Sequence, residues 1–190
     1  MNATAASLLG FLHRGPASGW DLVATAQATI GDFWPVTRSQ VYRELAAMEA
    51  QGLVRAGPPG RRDRRPYQLT RAGRSAFARW VREPPGPEQI RFPLLLALSF
   101  GRHLPPGRLA GFLAEHRTEH EARLARYRAA QEAGAAPDDY AAAALAFGVA
   151  YESAVLAWFD QLPDRLTGGG GQARRASSTE TRRPSAGAPR

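Results

Sequence analysis

"TRSQVYRELAAMEAQGLVRAGPPGRRDRRPYQLT", residues 37–70, decides how this chain is read. Thr37 and Gln40 have the spacing of a capping box, Val41, Leu45 and Met48 form one apolar stripe at helical spacing, and Gly52 ends the pattern. The stretch therefore opens on a short amphipathic helix. Two segments follow, "LVRAGPP" and "RPYQLT", able to pair as a hairpin around a tip that carries Arg61, Arg62, Arg64 and Arg65 with one acid, Asp63. Like charges so close together repel in a free loop. Beside a polyanion they become favourable, because they displace its condensed counterions.

At about 100° per residue, the helix face turned away from the apolar stripe carries Ser39 and Arg43, with Ala46 and Ala47 beyond and Arg38, Gln40 and Tyr42 at the margins. Small residues permit close approach to a surface, and the polar ones lie in the first two turns. Those are the positions from which the second helix of a helix-turn-helix reaches base edges in the major groove.

Outward from this stretch the chain is mainly helical. Residues 4–13 supply Leu8, Leu9, Phe11 and Leu12 before Gly15 and Pro16 stop a first helix. Ser18 suits the cap of a second, with Leu22, Val23, Ala26 and Ile30 on its apolar side until Gly31. Pro35 then breaks regular structure. After the hairpin, Leu69, Gly73, Ala76, Phe77 and Trp80 outline a fourth helix, and "EPPGP", residues 83–87, ends the N-terminal part.

The second part begins with the short apolar run "PLLLALSFG". A long helix follows in which Leu109, Leu113, His116, His120, Leu124 and Tyr127 recur at four- and three-residue steps, as a helix–helix seam does. A third segment, residues 137–162, is apolar on two sides, with Phe147, Tyr151, Ala154, Val155 and Trp158 on one and Leu145, Val149 and Leu156 on the other. Two apolar faces require burial between neighbours, which so short a segment obtains most easily by dimerising. The remainder, rich in Gly, Ser and Arg, has no periodicity and reads as a disordered basic tail. The expected division is residues 1–83 and 93–163 as two domains, 84–92 as linker and 164–190 as tail.

Charge follows the same division. The net charge is +8 and every basic side chain other than histidine is Arg. Residues 1–82 hold twelve Arg against five acids, residues 83–163 seven against ten, and residues 164–190 six against two. The positive field belongs to the N-terminal part, the distribution expected of a nucleic-acid-binding module joined to an acidic partner domain. Cysteine is absent, which excludes disulfides, thiolate metal sites and cysteine nucleophiles. The opening "MNATAASLLGFLHRG" lacks the basic start and long apolar run of an export signal, so a cytoplasmic protein is expected.

The order "LLGFLHRGPASGWDL", "SQVYRELAAMEAQGLV", "RRPYQLTRAGRSAFARWV" resembles the PadR family of transcriptional regulators across residues 5–82. The later tracts "IRFPLLLALSFG" and "FGVAYESAVLAWFDQL" are similar to the virulence-activator alpha C-terminal domain. The resemblance implies a winged helix-turn-helix domain with a small β-hairpin wing, followed by a helical dimerisation domain. It further implies a homodimer on double-stranded DNA, commonly a repressor, with Ser39, Gln40, Tyr42 and Arg43 at the DNA and the hairpin arginines as the wing. Arg38 joins them from the helix geometry. Two positions depart from the family pattern: Trp20 stands where the family often has the Tyr of a Gly-Tyr pair, and Pro93 interrupts a stretch that in many members carries an acidic residue after the Arg.

Other chemistry was weighed on the same residues. "HRTEH", residues 116–120, matches the H-x-x-E-H spacing of a zinc hydrolase, which would use His116, Glu119 and His120 with Glu152 as a further ligand. Their place on the seam of an amphipathic helix favours packing and ion pairs, so neither catalytic residue, metal nor cofactor is expected. The apolar run ending at Phe159 approaches the length of a membrane span, but Glu152 lies inside it and basic anchors are missing. Trp80, Phe92, Phe147, Tyr151 and Trp158 are the candidates for a pocket that takes a small aromatic effector.

Overall fold

A computed structural model describes residues 1–58, 64–87 and 90–168. Chain contacts divide it into two units, Met1–Glu88 and Gln89–Arg190.

The first unit runs α1 (Ala3–Leu12), β1 (Ala17–Ser18), α2 (Gly19–Thr29), α3 (Arg38–Ala50), β2 (Val54–Ala56), β3 (Pro66–Leu69) and α4 (Arg71–Trp80). Each helix start is locally specified. Asn2 caps α1 through its side-chain oxygen, Ser18 and Asp21 form a full capping box on α2, Thr37 and Gln40 do so on α3, and Thr70 caps α4. Leu8, Leu9 and Leu12 of α1 meet Leu22 and Ala26 of α2 and Val41, Leu45 and Met48 of α3, with Val54 and Leu69 closing the core from the hairpin. The strands form a three-stranded antiparallel sheet of order β1-β3-β2, in which Ala17 pairs with Tyr67 and Val54 with Leu69.

Two local features differ from the expectation. β1 was not anticipated, since two residues carry no periodicity and their pairing with β3 is visible only in three dimensions. Leu69, expected to open the fourth helix, is instead the buried last residue of β3, and the helix starts after the Thr70 cap. That junction explains the "LT-x-AG" sequence. The Thr70 hydroxyl donates to the Gly52 and Leu53 carbonyls (2.7 and 3.0 Å) and accepts from the Gly73 amide (3.0 Å). A Cβ on Gly73 would lie 2.1 Å from the Leu53 carbonyl oxygen. Gly73→Ala must therefore push α4 off the hairpin, and a loss of about 1–3 kcal/mol is expected in chemical unfolding; a wild-type midpoint would contradict this packing.

The second unit contains α5 (Pro93–Ser99), a 3-10 turn (Gly101–His103), α6 (Arg108–Glu132), α7 (Asp139–Asp160) and α8 (Asp164–Thr167). α6 and α7 pack along their length, and Gly148 of α7 admits the Tyr127 ring, which would stand 2.8 Å from a Cβ there. The seam prediction holds for Leu113, His120 and Leu124, which are buried, while His116 stays half-exposed. Leu94, Leu113 and Phe159 centre the core, with Leu162 and Leu166 packed against it. The tail boundary at residue 164 is thus corrected: α8 continues the domain, because Leu166 has an apolar surface to cover. Residues 169–190 lie outside the described residues.

Candidate nucleic-acid interface

The outward face of α3 is built by its cap and its stripe. With Val41, Leu45 and Met48 buried, Ser39, Tyr42 and Arg43 turn to solvent, and the Arg43 side chain is 70% exposed and lies 3.8 Å from Glu44. Gln40 is more constrained than its position on the helix suggested. Its Oε1 accepts from the Thr37 amide (2.8 Å) and hydroxyl (3.1 Å), so only its amide hydrogens are available to a partner.

Beside this face lies a cleft of about 450 Å³ between the N-termini of α2 and α3 and the hairpin. Arg38, Arg64 and Arg65 line it together with Trp20, Tyr42 and Tyr67. Tyr42 enters because its ring rests on Gly19, where a Cβ would come within 2.8 Å of it; the ring is both packed and 39% exposed. Arg38 stands over the Tyr42 ring at 5.6 Å and Arg64 over the Trp20 indole at 4.3 Å. Asp21 lies 4.0 Å from Arg64. The Ser18 hydroxyl, chiefly, holds the Asp21 carboxyl below the ordinary carboxylate range against the opposing effect of burial, with the Ser18 amide and Arg64 assisting. That support for the α2 cap is present above the usual carboxylate pKa and is lost as pH falls through the lowered value. Burial raises the Tyr67 hydroxyl above its ordinary value, with Glu49 adding to it, so the cleft holds a neutral phenol and three cations at neutral pH.

Arg38, Tyr42, Arg64 and Arg65 are thus brought to one concave surface, with Ser39 and Arg43 on the adjoining face of α3. Arg61 and Arg62 lie outside the described residues. Sequence reasoning missed Trp20 and Tyr67 as members of this surface. Both belong to segments flanking β1, the element without a sequence signal.

Two family models match the chain back to back: "Transcriptional regulator PadR-like family" over residues 8–79 and "Virulence activator alpha C-term" over residues 90–167. The chain carries a PadR-like transcriptional-regulator domain followed by a virulence-activator alpha C-terminal domain. Among curated relatives, it is 37% identical over 84 residues to the "Probable transcriptional regulator Rv1176c" of Mycobacterium tuberculosis, 43% of this chain and 44% of that one. It is 30% identical over 98 residues to the negative transcriptional regulator PadR of Bacillus subtilis, 50% of this chain and 54% of that one. These matches span about half the length of the relatives. The solved structure of B. subtilis PadR with operator DNA superposes with a TM-score of 0.70 at 23% identity, over 84% of this chain and 95% of that one. The Vibrio cholerae virulence activator AphA gives 0.62 at 26% identity, over 93% of this chain and all of that one. The winged-helix fold expected from the sequence is shared with both.

In the C-terminal unit the residues of the metallohydrolase alternative are otherwise engaged. His120 and Glu152 are buried, and the imidazole Nδ1–H donates to the Glu152 carboxylate. Arg123 Nε donates to the other carboxylate oxygen at 2.9 Å, and its guanidinium also lies against the edge of the His120 ring. Phe92 stacks on one side of that ring and Phe159 tilts against it on another. A guanidinium already neutralises the carboxylate where a dication would have to sit. His116 pairs instead with Glu119 at 3.9 Å on the surface. Among the described residues no group of three His, Cys, Asp or Glu is arranged to hold a metal ion, and the zinc-hydrolase reading is set aside for a regulator family.

The same triad bears on the membrane reading. α7 is long and apolar enough, by length and composition, to cross a bilayer, yet Glu152 at its middle is held by two partners from α6. It packs against α6 on one side, while only 11% of its apolar stretch is buried. The effector candidates fall into different settings: Phe92 and Trp158 pack against the core, Phe147 and Tyr151 stack on each other at 6.2 Å and remain 66% and 39% exposed, and Trp80 belongs to the first unit.

Proposed function

We propose that the chain is a homodimeric, sequence-specific DNA-binding regulator of the cytoplasm, acting as a repressor. α3 enters the major groove and the arginine-bearing hairpin, including Arg61 and Arg62, grips the flanking backbone. The observation that carries this reading is that Arg38 of α3 and Arg64 and Arg65 beside the hairpin line one cleft, with Arg43 exposed on the same helix. B. subtilis PadR, a negative regulator by name and solved with operator DNA, supports both the DNA partner and the sign of regulation. The dimer is assigned to the exposed apolar side of α7, where Tyr140 and Phe147 face outward in a helix too apolar to remain bare.

Arg43 is the side chain best placed to read a base, since its side chain is 70% exposed on the outward face of α3. Arg43→Ala is expected to weaken binding to the preferred duplex by about 1–3 kcal/mol and to leave nonspecific binding nearly unchanged. Fluorescence anisotropy on the two duplexes separates the roles; equal losses would assign Arg43 to phosphate contact.

A small aromatic effector fits the stacked Phe147–Tyr151 pair, and B. subtilis PadR has been solved with p-coumaric acid. Burial, followed by the Glu152 charge, raises the Tyr151 hydroxyl above its ordinary value, which leaves it a neutral hydrogen-bond donor. Release of DNA by phenolic acids in the wild type, abolished in Phe147→Ala, tests this part. Indifference of the DNA complex to such compounds would remove it.

A further inference from the structure

Trp20 has no counterpart in the DNA-binding reading derived from the sequence. It is the second residue of α2, 49% exposed, and lies outside the core cluster of its unit. Its indole carries the Arg64 guanidinium at 4.3 Å. Next to it Asp21, fixed by the Ser18 amide (3.2 Å) and hydroxyl (2.6 Å), sets one carboxylate oxygen 4.0 Å from Arg64 Nη1.

The geometry of this pair has a chemical meaning. An aromatic ring attracts the flat face of a guanidinium and leaves its N–H groups, which point outward in the plane, free for other acceptors. Asp21, at 4.0 Å, attracts the same cation without a close two-point bond that would occupy those donors. An unheld arginine at the root of a basic hairpin loses its rotamer freedom on meeting a ligand and so weakens binding. Here that freedom is already restricted, and Arg64 lines the same cleft as Arg38 and Arg65.

We infer that Trp20 and Asp21 form a clamp that preorganises Arg64 for a backbone phosphate of duplex DNA, which makes Trp20 a positioning residue of DNA binding. The inference rests on the DNA-binding reading and adds to it a coupling between the N-terminus of α2 and the hairpin. Trp20 acts through Arg64, so its removal matters only while Arg64 is present.

A double-mutant cycle on the full-length chain tests this, with dissociation constants for one preferred duplex measured by anisotropy at a fixed moderate salt. Trp20→Ala is expected to weaken binding about two- to fivefold, the range for an exposed cation–π contact. Arg64→Ala weakens it at least as much, and the double variant is no weaker than Arg64→Ala alone. Trp20→Phe keeps the aromatic face and retains wild-type affinity, while Trp20→Leu, which keeps bulk without a ring quadrupole, behaves as Trp20→Ala. The Leu variant also replaces the Ala variant should the latter unfold. Losses that multiply in the double variant, or a Leu variant as tight as the Phe variant, would overturn the clamp and leave DNA binding intact. A wild type that binds no duplex at all would overturn the DNA reading with it.

Discussion

Raising the salt from about 50 to about 200 mM is expected to weaken the preferred complex by a factor of about 10³–10⁵, the range for six to ten neutralised phosphates. The count comes from the exposed surface: Arg38, Arg43, Arg64 and Arg65 are all outward-facing in one copy, and a dimer doubles them. Not all of these will meet phosphate, but the hairpin adds Arg61 and Arg62 from the sequence. Replacing Arg61, Arg62, Arg64 and Arg65 together with Ala should flatten the slope of log affinity against log salt by about 0.9 for each phosphate contact removed. Plotting affinity against salt for both proteins measures it. An unchanged slope would mean that the hairpin does not touch the backbone, whatever the quadruple variant does to affinity at one salt.

The second large effect concerns stability. Glu152→Ala should cost about 3–5 kcal/mol, because it leaves the buried His120 and the Arg123 guanidinium without their shared carboxylate. Removing one member of a buried ion pair strands the rest, whereas removing all members need not. The triple variant His120→Phe, Arg123→Met, Glu152→Leu should therefore recover most of the loss. Urea unfolding of the full chain at one protein concentration compares the three, the concentration being fixed because a dimer's stability depends on it. A Glu152→Ala midpoint equal to wild type would show that the triad is solvated in solution.

Much of the fold was legible because its signals are local. The Ser18 cap, the Thr37 capping box, the stripe Val41–Leu45–Met48 and the left-handed Gly52 (φ 69°) each act within one turn of chain, so sequence spacing alone locates them. β1 was not legible, because two residues become a strand only by pairing with β3. α8 escaped for a similar reason: Leu166 is one apolar residue in a polar tail until the α6–α7 surface covers it.

The candidate site divides along the same line. Arg43 and Ser39 follow from helix periodicity, and the hairpin arginines from charge density. The capped Oε1 of Gln40 also lay in the sequence, since the capping box that starts α3 and the base-reading role compete for one oxygen. Trp20 over Arg64 joins residues 44 positions apart, and no periodicity carries such a contact. The H-x-x-E-H spacing carries no metal chemistry for the same reason. It brings two imidazoles to one helix face, but the buried partner of His120 is a carboxylate on another helix, already shared with an arginine.

Selection of bound sequences from random duplex DNA at low ionic strength, with the wild-type protein confirmed as a dimer, tests the central claim most directly. The account predicts enrichment of an inverted repeat whose half-site centres lie about 10 bp, or a multiple of that, apart. Recovery of no preferred duplex, or of a site without two-fold symmetry, would contradict it.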